Sequence, residues 1–192
     1  MVYLFDTLET FGTEELAAAL EQISPQRRKT ALKYRFEIDR KLCVKGYLLL
    51  KQGLKEEYGI TDNPVFEYMP GGKPFLPAYP DIHFNISHCK RAVVCIIDRY
   101  PVGIDIEEIR PFDPDVAAFV CSSQEYDMLL SSPEPDIAFI ALWTQKESLL
   151  KLTGAGIHTD LKRLSEQADN YVFETRIHKE KNYIRTVCRH RG

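Results

Sequence analysis

Two long stretches with a helical apolar period, 39–58 and 136–152, limit the possible folds more than any other feature of this chain. Leu42, Leu49 and Leu50 form the inward stripe of the first; Phe139, Leu142, Trp143, Leu149 and Leu150 form that of the second. Such helices are stable when the stripe lies on a core, and β-patterned runs flank each of them. Val2–Phe5 precedes the first, and 65–68, 82–86 and 92–97 follow it. Val102–Glu107 precedes the second, and 171–177 and 183–188 follow. Shorter helices are expected from Thr13, with Thr13 as N-cap, from Ser24-Pro25, and over 114–120 and 123–130. Each half runs strand, long helix, strands. This predicts an α+β fold of two similar α/β subdomains, 1–100 and 101–192, related by a pseudo-twofold with a cleft between them.

Composition narrows the function. With 44% hydrophobic and 11% aromatic residues the chain can bury a core, which excludes disordered and low-complexity classes. Lys and Arg number 25 against 28 Asp and Glu, a net charge of −3, too balanced for a protein that coats nucleic acid. Charge is concentrated locally instead. Between Gln26 and Lys45, eight Lys or Arg face only Glu37 and Asp39; between Asp98 and Asp136, ten acids face only Arg99 and Arg110, a stretch able to gather cations. Nucleic-acid binding through the basic block is disfavoured, since only Tyr34 and Phe36 interleave it as stacking aromatics. No apolar run approaches the roughly 18 residues of a membrane span. The first six residues carry no signal-peptide pattern, so a cytoplasmic location without membrane partners is expected. Five scattered cysteines without a C-x-x-C pair predict reduced thiols rather than disulfides or structural zinc.

Three segments carry chemistry. In Val102-Gly103-Ile104-Asp105-Ile106-Glu107 strict alternation buries one row and points Asp105 and Glu107 together from the opposite, outward face. Paired hard oxygens suit Mg²⁺ or Mn²⁺, although a solvated strand face has the same pattern. In the second long helix Glu147 and Lys151 stand four apart on one face, the spacing of an ordinary exposed pair, and Lys146 is unremarkable by itself. Third, Gly71-Gly72-Lys73-Pro74 is a stiffened turn that lets backbone approach a phosphate or purine, and Ser87-His88 ends a strand. Side chains adjacent on a strand diverge, which rejects a Ser87–His88 nucleophile–base pair and favours anion binding by both.

Gly72-Lys73-Pro74, Phe84-Asn85-Ile86-Ser87-His88, Val102 through Glu107, and Trp143 through Lys151 resemble, in order and spacing, the successive motifs of the Sfp-type 4′-phosphopantetheinyl transferases. Ser24-Pro25-Gln26-Arg27-Arg28 is similar to that family's N-terminal basic motif, so the resemblance covers about residues 1 to 165. It implies the family's pseudo-dimeric fold and transfer of 4′-phosphopantetheine from coenzyme A to a serine of an acyl or peptidyl carrier protein. Carried over by position, it makes Asp105, Glu107 and Glu147 the Mg²⁺ ligands, Glu147 the candidate base, and Lys151 a pyrophosphate contact. Arg27 and His88 would bind the 3′-phosphate with help from Ser87, and Gly72, Lys73 and Pro74 would border the adenine. Two fused halves make a monomer the simpler expectation.

The chain departs from the family pattern at Thr30, Leu42, Cys43 and Cys89, where basic or hydroxyl residues are usual. The resemblance also leads one to expect a longer segment after Lys151. These departures motivate the alternative of a coenzyme A binding protein that has lost transfer. Carrier identity is set by a surface rather than a motif.

Overall fold

The computed structural model describes residues 1–155 and 160–192, the side chains of 165–167 excepted. The stretch covered by the family resemblance therefore crosses four residues, 156–159, that lie outside the described ones.

The first half contains β1 (Val2–Phe5), α1 (Thr13–Leu20), α2 (Pro25–Ala31), α3 (Glu37–Tyr58), a two-residue pair β2 (Glu67–Tyr68) and β3 (Pro74–Phe75), then β4 (His83–His88) and β5 (Val93–Asp98). The second contains β6 (Val102–Glu108), α4 (Pro114–Val120), α5 (Ser123–Leu130), α6 (Pro135–Thr153), β7 (Tyr171–His178) and β8 (Tyr183–His190). A 3₁₀ segment, Leu161–Asn170, leads into β7. No helix among the described residues is long and apolar enough to cross a membrane.

Local chemistry explains the helix ends. Ser24 Oγ accepts from the Arg27 amide and Pro25 opens α2, as the sequence predicts. Ser122 and Glu125 cap α5 reciprocally, with bonds of 3.3 and 2.7 Å. Both long helices stop at a glycine in the left-handed region, Gly59 after α3 and Gly154 after α6. Two expectations shift. Gly12, not Thr13, occupies the cap position of α1, and the Thr13 hydroxyl donates to Glu37 instead. The strand expected over 65–68 shrinks to two residues, since only Glu67 and Tyr68 find a pairing partner in β3, while Phe66 packs in the core against Tyr47 and Phe84.

Pairing gives two three-stranded antiparallel sheets, ordered β1-β5-β4 and β6-β8-β7. In each, the strand before the long helix lies beside the last strand of its half, so both halves follow the same first–third–second order. α3 packs on the first sheet and α6 on the second. β5 is apolar and buried from Val93 to Ile97, with both its faces covered. Val93, Cys95 and Ile97 face α3, whereas Val94 and Ile96 join Val102, Ile104, Ile106, Tyr183 and Val187 in a core between the sheets. All five cysteines are free and buried.

The row Gly103, Asp105 and Glu107 does not face water. α6 lies on it, so closely that a Cβ on Gly103 would overlap the Ser148 carbonyl oxygen and stand 2.7 Å from the Leu152 nitrogen. The alternation was read with the right parity and the wrong environment: both faces of β6 are covered, one by β5 and the other by α6.

Candidate active site between the two sheets

β4 and β6 run together where the sheets meet, and polar side chains join them. Asn85 Oδ1 accepts from the Ile104 amide at 3.1 Å, fixing β6 beside β4. One pleat further, the Ser87 hydroxyl donates to Asp105 Oδ1 at 2.8 Å. Lys151, one turn from the end of α6, closes the triangle: its ammonium donates to Asp105 Oδ1 at 2.6 Å and to Ser87 Oγ at 2.7 Å. The partners of Lys151 are thus Asp105 and Ser87, rather than the Glu147 that helical spacing offered.

Asp105 is only 3% exposed, and its second oxygen, Oδ2, is buried without a partner. A buried carboxylate oxygen with no donor carries an uncompensated desolvation cost. Its two acidic neighbours feel it. Burial, and then the Asp105 charge, raises the proton affinity of Glu107, opposed by Arg110 and Lys151 and by a hydrogen bond from Trp143. Burial and Asp105 likewise raise Glu147, opposed by Lys151. Negative charge is thus concentrated around one orphaned oxygen, a situation a cation relieves. Among the described residues no three His, Cys, Asp or Glu are gathered as a ready metal-ligand group. The donor chemistry and the orphaned Oδ2 nevertheless fit a hard divalent ion.

A cavity of about 290 Å³ opens beside this cluster. Gly72, Lys73 and Pro74 wall one side, Asn85 and Ile86 the floor, and Glu147, Leu150 and Lys151 the other side. The glycine turn is clamped to the end of α6. Gly72 has φ +82°, and a Cβ on Gly71 would overlap the Gly154 carbonyl oxygen. Lys73 donates to the Leu152 carbonyl at 2.7 Å, satisfying a terminal carbonyl of α6 and placing a cation at its negative end. Burial lowers the Lys73 proton affinity.

Arg27 and His88 stand away from that cavity. Arg27 Nη2 donates to the Cys43 carbonyl at 3.2 Å, its guanidinium lies 5.5 Å from the Phe66 ring centre, and its Nε is buried without a partner. It walls a separate hollow of about 80 Å³ with Thr30, Tyr47 and Tyr68. His88 is exposed at the end of β4, yet burial of its ring, then the Lys151 charge and, last, Arg27 lower its proton affinity. An anion bound there would reverse that shift. Of the departures, Leu42, Cys43 and Cys89 are buried, and Cys43 contributes its carbonyl rather than its side chain.

Lys146 was undervalued by the sequence. It is 4% exposed and donates to Glu125 at 2.9 Å and to the Leu161 carbonyl at 2.7 Å, tying α5 and the segment after α6 to the residue before Glu147. Its position three after Trp143 and four before Leu150, inside the apolar stripe, was the available signal. The bridging role of Asn85 had none.

Both halves of the chain are similar to known proteins. Residues 101–190 match the model of the 4′-phosphopantetheinyl transferase superfamily, and residues 12–98 match that of a 4′-phosphopantetheinyl transferase N-terminal domain. The 4′-phosphopantetheinyl transferase psf-1 of Bacillus pumilus is 39% identical over 170 residues, spanning 83% of this chain and 73% of the relative. The 4′-phosphopantetheinyl transferase Sfp of Bacillus subtilis is 33% identical over 155 residues, 79% of this chain and 69% of the relative. HetI of Nostoc is 31% identical over 165 residues, 80% of this chain and 64% of the relative. With matches running through both halves and an α+β architecture to carry them, the chain belongs to the 4′-phosphopantetheinyl transferase family.

Proposed function

We propose that the protein moves 4′-phosphopantetheine from coenzyme A to a serine hydroxyl of an acyl or peptidyl carrier protein, releasing 3′,5′-ADP. The observation that carries this reading is the buried Asp105 carboxylate, whose Oδ1 binds Lys151 while Oδ2 has no partner and whose charge is felt by Glu107 and by Glu147 in the cavity wall. Asp105, Glu107 and Glu147 would hold Mg²⁺, with Mn²⁺ as a substitute. When bound, the ion would neutralise charge developing on the phosphoryl oxygens.

The side chains divide the remaining work. Lys151, released from Asp105, contacts the pyrophosphate and stabilises charge on the departing nucleotide. Glu147, with its raised proton affinity, accepts the proton of the carrier serine as its oxygen bonds to the phosphorus that bears pantetheine. The bond from that phosphorus to the 3′,5′-ADP oxygen breaks in the same displacement. Arg27 and His88 take the 3′-phosphate, with Ser87 assisting, and Gly72, Lys73 and Pro74 border the adenine. The two halves, 1–100 and 101–192, act as subdomains about a pseudo-twofold; their shared first–third–second strand order supports this.

Mass spectrometry of a panel of apo carriers incubated with coenzyme A and Mg²⁺ tests the reading. A phosphopantetheine mass gain is expected on at least one carrier, and none on any would overturn it. Glu147→Gln should slow transfer by on the order of 10²–10⁴-fold, with circular dichroism unchanged.

A further inference from the structure

Buried polar atoms without partners mark where a folded chain awaits something. Among the described residues there are six, and two of them, Asp105 Oδ2 in the carboxylate cluster and Arg27 Nε in its separate hollow, are described above. Three others, Arg185 Nε, Arg185 Nη1 and His178 Nε2, lie together elsewhere. On the antiparallel pair β7–β8, Arg176 stands opposite Arg185 and His178 opposite Tyr183. Cross-strand partners share a face and alternate residues return to it, so these four side chains form one patch. The patch lies on the face of the sheet opposite α6, since Ile184, Thr186 and Cys188 point toward that helix.

The patch is short of negative charge. Arg185 is 8% exposed, so its guanidinium is largely removed from water without the bonds that would repay the removal. Nearby acids are already engaged: Glu174 bonds Arg176 at 2.8 Å, and Asp6 accepts from Tyr183 at 2.8 Å and pairs with Lys181 at 2.8 Å. The His178 ring stacks on Tyr183 with centres 4.6 Å apart, which holds its unpartnered nitrogen in place. A hollow of about 480 Å³ lined by Ile177, His178, Lys179, Glu180 and Lys181 opens at this end of the hairpin, where Lys179 pairs with Glu134 and Lys181 with Asp6.

We infer that the β7–β8 hairpin carries a second anion site, in which Arg185, Arg176 and His178 bind a phosphate-type oxyanion on the side of the sheet away from the candidate active site. Arginine's planar donors suit tetrahedral oxyanions, and such charge-assisted bonds are stronger than neutral ones. Burial, followed by Arg185, lowers the His178 proton affinity, and bound negative charge would counter both. The inference stands on these residues alone and does not depend on the transferase reading.

Thermal unfolding of the full chain with low-millimolar phosphate, against chloride of equal ionic strength, tests it. These concentrations lie below those at which excluded kosmotropes act generally. Phosphate is expected to raise the midpoint, with Arg185→Met weakening the apparent affinity at least about tenfold and Lys151→Ala leaving the shift in place. Parallel titration with 3′,5′-ADP distinguishes a free anion from a nucleotide-borne phosphate, since only the source that binds here loses its shift in Arg185→Met but keeps it in Lys151→Ala. Should Arg185→Met not fold, Arg176→Gln combined with His178→Gln is expected to cause the same loss. The site is overturned if phosphate gives no excess shift, if the folded hairpin variant responds like the unaltered protein, or if Lys151→Ala abolishes the response.

Discussion

Asp105 shows what a single residue can and cannot announce. Its identity and parity were legible, since only alternation was needed to put it on the row with Glu107. Its burial was not, because the helix covering that row comes from a stretch some forty residues later in the chain, as the contact of Ser148 with Gly103 shows. The burial has a consequence in solution. Glu107 and Glu147 hold protons more tightly than ordinary carboxylates, so acidification loads them at a pH above the usual carboxylate range. In the metal-free fold, the sign is that of raised acids: stability falls as pH rises through the elevated values. A divalent ion needs the ionised oxygens and removes that penalty. Mg²⁺ or Mn²⁺ is therefore expected to raise the unfolding midpoint more at pH 8 than at pH 5, and equal shifts at the two would contradict the ligand assignment.

At the scale of elements, periodicity found both long helices to within two residues of their ends, because an apolar stripe is a local signal. It overshot at 65–68, where only Glu67 and Tyr68 pair with a neighbouring strand, a partner that the local pattern does not reveal. The docking of the β2–β3 turn on α6 was also invisible, since Lys73 reads as a surface cation until its acceptor, the Leu152 carbonyl, is known. That bond makes the turn part of the helix terminus. Lys73→Met is expected to lower stability by about 1 kcal/mol and to weaken coenzyme A binding. Denaturant unfolding and calorimetry measure the two effects; a variant that loses neither would separate the turn from the helix.

For the whole molecule, the repeated order of strand, long helix and strands was readable, and the first–third–second pairing in both sheets agrees with it. The ties between the halves were not, because they join residues far apart in sequence. Asp6, in the loop after β1, accepts from Tyr183 and pairs with Lys181 near the far end of the chain. Burial works to raise its proton affinity, but Lys181 and Tyr183 outweigh it and the net direction is downward. A lowered acid stabilises above its unfolded pKa and loses that contribution as pH falls through the folded one. Asp6→Asn is expected to destabilise by about 1 kcal/mol at pH 7, with the difference from the unaltered protein closing below the ordinary carboxylate range. A difference that persists unchanged in strong acid would assign the loss to packing.

β5 has no spare side: one face is spent on α3 and the other on the second sheet. Pulling either half away would strip a greasy plank bare, leaving Val94 and Ile96, or Val102 and Ile104, in water. The two halves share one core and do not stand independently. A chain cut between residues 98 and 102 is therefore expected to give two fragments that expose this shared core rather than two small folded domains.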